Sequence, residues 1–266
     1  MKLIHPTEEG EPISGLTTLN NELFVRYSKK TDISVYDTET FSVQPSRQVP
    51  RLSFVSDMAS CKRHQCIYIV DRINKVVHRV DNKNIITQWP VNDMPEGLSV
   101  NSVYNVLVTC DAEGKPKVKE FRTDGMPIHA INLNSSIVNP SHTVELTTGQ
   151  LIVCHGLGND AVHRVCIVDL EGRILQSYGG SKGSGSGQLN TPIRLAVNGI
   201  IFVADLNNHR VLMLSPTLSL LLEILSGPSY PYIIWFDDET GRLYVGANKW
   251  DTHGKFGSGQ VNIYGV

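Results

Sequence analysis

A proline followed by two short apolar runs recurs along this chain at Pro12, Pro50, Pro95, Pro140, Pro192 and Pro231, roughly 40 to 50 residues apart. Proline fixes φ and lacks a backbone N–H, which suits the start of a strand and not its middle. The first runs cover residues 14–18, 52–55, 98–100, 143–146, 195–197 and 233–236. The second, more apolar runs cover residues 23–25, 67–70, 106–108, 151–153, 201–203 and 243–245. A third run follows in each unit, at 34–37, 76–81, 118–121, 164–169, 211–214 and 261–264. More polar fourth runs, at 42–43, 85–89, 128–133, 174–178 and 220–225, fit outer strands. The last unit has no fourth run, whereas residues 2–5 precede the first proline and belong to no unit. Pairing 2–5 beside 261–264 supplies the missing strand. The pattern is therefore read as all-β: a single domain over residues 1–266, a six-bladed β-propeller closed by its N-terminal strand in the last blade.

The densest unit is residues 178–214. A glycine-rich approach (Gly179, Gly180, Gly183, Gly185, Gly187) leads to Pro192, a short strand, an Asn198-Gly199 hairpin turn, a second strand, the turn Asp205-Leu206-Asn207-Asn208, and a third strand. Its Gly187-Gln188-Leu189, Pro192, Leu195-Ala196-Val197, Val203-Ala204-Asp205 and Asn208-His209-Arg210-Val211 follow one another in the order of the NHL repeat, which this stretch resembles. The resemblance implies a propeller like the C-terminal domain of tripartite-motif proteins. There the propeller selects the partner brought to a ubiquitin ligase, or binds RNA. A recognition module with no catalytic step of its own is expected from it, with a metal-dependent lyase-like propeller as another alternative.

Net charge is −2, from 24 basic and 26 acidic residues, so bulk electrostatics do not favour nucleic acid or an acidic membrane surface. No apolar run reaches the length that spans a bilayer, and the first ten residues lack the pattern of a secretory leader. Five cysteines at irregular spacing (Cys61, Cys66, Cys110, Cys154, Cys166) read as reduced, buried thiols, and hence as a cytoplasmic protein.

In a propeller the segment leading into the inner strand and the loop joining the second and third strands emerge on one face. Residues just after the prolines therefore ring the channel mouth. Arg51, Glu96, His142, Arg194 and Tyr232 are the candidates there, with His155 at the end of a second strand and beside a glycine-bearing loop. They either form a rim that grips a protein or peptide partner, through a peptide carboxylate, a phosphate or an Arg/Lys side chain, or Arg51, Glu96 and Arg194 pair with one another or cap neighbouring loops. Asp71 and Asp205 close the second strands of their units and are expected to accept turn amides. Only His142 and His155 fall near the channel, short of the three protein ligands a catalytic metal usually has, and no cofactor or metal is expected. The Gly185-Ser186-Gly187 run lacks the strand-to-helix turn of a nucleophile elbow.

Overall fold

The structure, a computed structural model, describes residues 2–6, 10–112, 114–225, 227, 229–253 and 255–266. The chain forms six four-stranded antiparallel sheets arranged as the blades of a propeller. From the channel outwards, blade one is Ile13–Leu19, Glu22–Tyr27, Asp32–Asp37 and Val43–Gln48. Blade two is Val55–Cys61, Cys66–Asp71, Val76–Asp81 and Ile86–Pro90, and blade three Met94–Val100, Val106–Ala112, Lys115–Phe121 and Pro127–Asn132. Blade four is Pro140–Glu145, Leu151–His155, Val162–Val168 and Ile174–Ser181, and blade five Pro192–Val197, Ile201–Asp205, Arg210–Leu214 and Leu220–Leu225. Blade six is Tyr230–Asp237, Arg242–Trp250 and Phe256–Gly265, completed on its outside by Lys2–Pro6.

The apolar runs form strands because both faces of each blade are covered by neighbours. Cys66–Asp71, Leu151–His155 and Ile201–Asp205 are buried at every residue, so no polar alternation is left in them. Outer strands such as Val43–Gln48 face solvent and read polar. The core is divided into six apolar clusters, one at each boundary between adjacent blades, and the cluster joining blades six and one packs Tyr244 and Ile263 against Leu16 and Leu23.

Ring closure follows the expected pairing: Leu3 lies opposite Tyr264 and Pro6 opposite Asn262. Both aspartates are held in their turns, but only Asp71 accepts an amide of the turn that follows it (Asn74, 3.2 Å), and Asp205 takes its amide from the loop before the blade. Asp205, fully buried, accepts from the Asn190 amide (2.7 Å), Asn208 Nδ2 (2.7 Å) and Arg210 Nε (2.8 Å). Asp71 accepts from the Ser53 amide (2.7 Å) and Asn74 Nδ2 (2.9 Å) in the same way.

Blade two departs from the proline ladder. Its inner strand is Val55–Cys61, not residues 52–55, and Pro50 sits in the loop before it. The reason is local: the amides of Ser53 and Phe54 are claimed by Asp71, which holds the 52–54 stretch as loop despite the apolar Leu52 and Phe54.

Every inner strand also carries a bulge near its start, between Ile13 and Gly15, Val55 and Asp57, Pro95 and Gly97, Pro140 and His142, Pro192 and Arg194, and Pro231 and Ile233. A bulge drops one residue out of the ladder and re-aims the next side chain. It is this device that points side chains into the channel.

Removing residues 1–6 would leave Phe256–Gly265 as an open sheet edge. The expected outcome is a melting temperature lower by more than about 5 °C, with self-association on size-exclusion chromatography. A monomeric product with an unchanged midpoint would contradict closure by this strand.

Candidate functional site

The residues that follow the bulges at equivalent positions are Gly15, Asp57, Gly97, His142, Arg194 and Ile233. Three of them, from blades two, four and five, meet across the channel. Asp57 Oδ2 lies 3.4 Å from Arg194 Nε and 3.3 Å from His142 Nε2, and the three side chains are 4 to 7% exposed. The Arg194 guanidinium also donates to main-chain carbonyls of bulged residues: Ser56, Glu96 at 3.2 Å and Ser141 at 3.3 Å, besides its neighbour Ile193 at 2.8 Å. Asp57 Oδ2 accepts from the Leu98 amide at 3.0 Å. The space is shaped by Gly97, where a Cβ would stand 2.5 Å from the Ser141 carbonyl oxygen and 2.8 Å from the His142 ring.

His142 is neutral in this setting. Its Nδ1 accepts from the Leu195 amide (3.2 Å), so Nε2 carries the proton and faces the Leu98 carbonyl at 3.0 Å. Burial pushes its pKa down, against the pull of Asp57. Both ring nitrogens are thus engaged within the protein. Among the described residues no group of three or more His, Cys, Asp or Glu side chains is placed to hold a metal ion.

The expected rim residues therefore separate. His142 and Arg194 come together, but as a buried cluster with Asp57 and not as a surface. Arg51 is displaced from the ring with the rest of its loop: it is exposed, at φ 65°, and its carbonyl accepts from Asn74 Nδ2. Ser56 takes its bulged position and Asp57 the next one, facing the channel, which a repeat aligned on prolines gives to Leu52; aligning blade two on its second strand, Cys66–Asp71, exposes a lone acid within the run Val55–Cys61. Glu96 lies at the mouth and binds Arg72 through both carboxylate oxygens at 2.9 Å, so its carboxylate pairs with Arg72 and Arg194 reaches only its main-chain carbonyl; burial raises its pKa. Tyr232 is packed on Phe256, ring centroids 5.5 Å apart, and burial raises its pKa. His155 is wholly buried, its Nε2 3.5 Å from Cys166 Sγ, and is not a mouth contact.

Two features of the mouth were not legible in the repeat. One is a cleft of about 610 Å³ between blades two, three and four, lined by Arg72, Lys75, Lys115 and Lys117 and by Asp93 and Glu96. Within it Asp93 is paired with Lys119 at 2.5 Å and Lys117 at 3.6 Å. The other is an aromatic group over blades five and six. The last hairpin is long, nine and ten residues a side, and carries Trp250 and Phe256 beyond the blade (centroids 5.0 Å apart) towards Tyr230. Trp250 remains 48% exposed.

The chain matches no family model, and no curated protein matches it. Solved structures share its architecture. A streptogramin B lyase superposes with TM-score 0.65 at 11% identity, over 96% of this chain and 83% of that one. The aldose sugar dehydrogenase of Streptomyces coelicolor, in its PQQ-bound form, gives 0.68 at 14% identity over 99% and 98%. A chain of the nidogen/laminin complex gives 0.66 at 13% identity over 80% of each. At such identity the likeness establishes the propeller fold alone. It also corrects the expectation of a module without catalysis: a lyase and a dehydrogenase stand among these neighbours, so the architecture does not exclude enzymes. No described helix is long and apolar enough to cross a membrane, and the five cysteines are buried free thiols.

Buried histidines weaken the fold in acid. Burial lowers the pKa of His78, His142 and His163, and brings His155 from 6.5 to about 4. The unfolded chain then binds protons that the native state refuses. The histidine contribution to stability is complete above pH 6.5, is lost as pH falls, and levels off once the folded values are passed. For His155 alone the loss is on the order of 3 kcal/mol. Urea unfolding between pH 7.5 and pH 4.5 should show this decline, and His155→Asn should flatten it; parallel profiles for the two proteins would contradict it.

Proposed function

We propose that the mouth face recognises a protein or peptide partner, with the charged cleft and the exposed Trp250 as its two contact points. The supporting observation is the mixed sign of the cleft: Lys75 and Lys115 stand with Asp93, Glu96 and Asp111 around one cavity. A peptide offers both signs and apolar side chains to such a surface. For an RNA backbone the cleft offers no continuous positive track, because Asp93, Glu96 and Asp111 stand among its four basic residues and two of those acids already hold Arg72 and Lys117. Loops at the end of a rigid repeat scaffold are where recognition concentrates, and an aromatic anchor beside a polar rim is the usual composition of a binding centre. The NHL-like unit at residues 178–214 adds the more specific reading of a substrate-selecting propeller of the tripartite-motif kind. Five buried free thiols fit a reducing, cytoplasmic setting.

The test is selection of peptides from a displayed random library on the folded chain, followed by titration against variants. Trp250→Ala, and Lys75→Glu combined with Lys115→Glu, should each weaken the selected peptides by about tenfold or more without moving the melting temperature. Peptides indifferent to both variants would move the site off the mouth. Single-stranded RNA binding with a steep salt dependence would replace the peptide reading by the RNA one.

A further inference from the structure

The opposite end of the channel holds a second cavity, of about 290 Å³, floored by Asp57 and His142 and opening where the inner strands turn into their second strands. Its size is at the ~300 Å³ lower end of pockets that enclose small molecules. The walls are apolar, from Met58, Leu98, Leu195 and Ile234. Its rim is built and held. Trp235 is fixed by a hydrogen bond from Nε1 to Thr18 Oγ1 at 2.9 Å. Tyr104 sits at φ 67°, a conformation rare for a bulky residue, in a turn tied by Asn101 Oδ1 to the Asn105 amide at 2.8 Å. The same turn is anchored to the next blade by Glu145, which accepts from the Ser102 amide at 2.7 Å.

The charge at this rim is unbalanced. Lys62 is shared between Asp237 (3.4 Å) and Glu239 (3.1 Å). The exposed Asp238 carboxylate lines the same cavity; it lies in the field of Lys62 but makes no ion pair within contact distance and no hydrogen bond among the described residues. Deeper in, Ser60 and Ser99 line the cavity with hydroxyls that are buried and have no hydrogen-bond partner. A serine hydroxyl turns between staggered wells, so both are groups a polar ligand atom could engage. An apolar chamber, an unspent carboxylate and two aromatic rings at its opening describe one ligand chemistry: a cation attached to an apolar body, its charge met by carboxylate and ring faces.

We infer that this cavity is a binding site for a small organic ammonium ion, with the amine at Asp238 between Trp235 and Tyr104 and the apolar body directed towards Leu98 and Leu195. The site is independent of partner recognition at the mouth, from which the Asp57–His142–Arg194 cluster separates it.

The full chain is titrated by calorimetry and ligand-observed NMR with tryptamine, tyramine and isoamylamine, and with 3-indolepropionate as the anion bearing the indole of tryptamine. At least one amine should saturate a single site, with the carboxylate binding about tenfold more weakly or less. Asp238→Asn and Tyr104→Ala should each weaken that amine by about tenfold or more, the loss of one charge-assisted or cation–ring contact, while melting temperatures hold. Trp250→Ala, at the other face, should leave amine binding untouched. Failure of all three amines to bind, equal binding of amine and carboxylate, or indifference to both rim variants would overturn the assignment.

Discussion

Bulging every inner strand has a cost that the channel must meet, because a residue dropped from the ladder leaves its main-chain groups to find other partners. Arg194 provides for three of the six blades besides its own: its guanidinium takes the carbonyls of Ser56, Glu96 and Ser141 and of Ile193 beside it. A planar fork with five donors is suited to this, and a lysine could not span the same acceptors. A buried guanidinium needs a counter-charge, which Asp57 supplies from across the channel. His142 stays neutral and joins Asp57 to the Leu98 and Leu195 main chain. Polar bonds thus link blades two, three, four and five at the axis.

This arrangement separates scaffold from surface. The cluster lies between the mouth cleft and the cavity at the other end, so each end presents its own chemistry on a common frame. The neighbours in fold fit the same view. At 11 to 14% identity a lyase, a sugar dehydrogenase and a chain of the nidogen/laminin complex share the frame with this protein. The likeness is one of frame, and a frame does not fix function.

The architecture was legible because blade formation depends on patterns that sequence displays directly. Apolar second strands such as Ile201–Asp205, the Asp205 turn and the spare strand Lys2–Pro6 all emerged where the runs implied. The channel was less legible for a physical reason. Which side chain points inwards depends on bulge register, and a shift of one residue re-aims it. Pro50 is five residues out of phase with Val55, so the proline ladder puts Arg51 at the position of Ser56 and Leu52 at that of Asp57. The ladder brings His142 and Arg194 to the channel but not their burial, which is set by one another, by Asp57 and by Gly97, far apart in the chain. The aromatic group at Trp250 depends on the length of one hairpin, which no repeat pattern encodes.

The central claim is that Asp57 and Arg194 form one buried unit on which the channel depends. A double-mutant cycle in urea unfolding measures it, with Asp57→Asn, Arg194→Met and the pair. Each single change leaves a buried group without its partner and should cost about 3–5 kcal/mol, and the double variant should cost less than the sum by at least about 2 kcal/mol. Additive costs, or single changes within about 0.5 kcal/mol of the parent, would contradict the account.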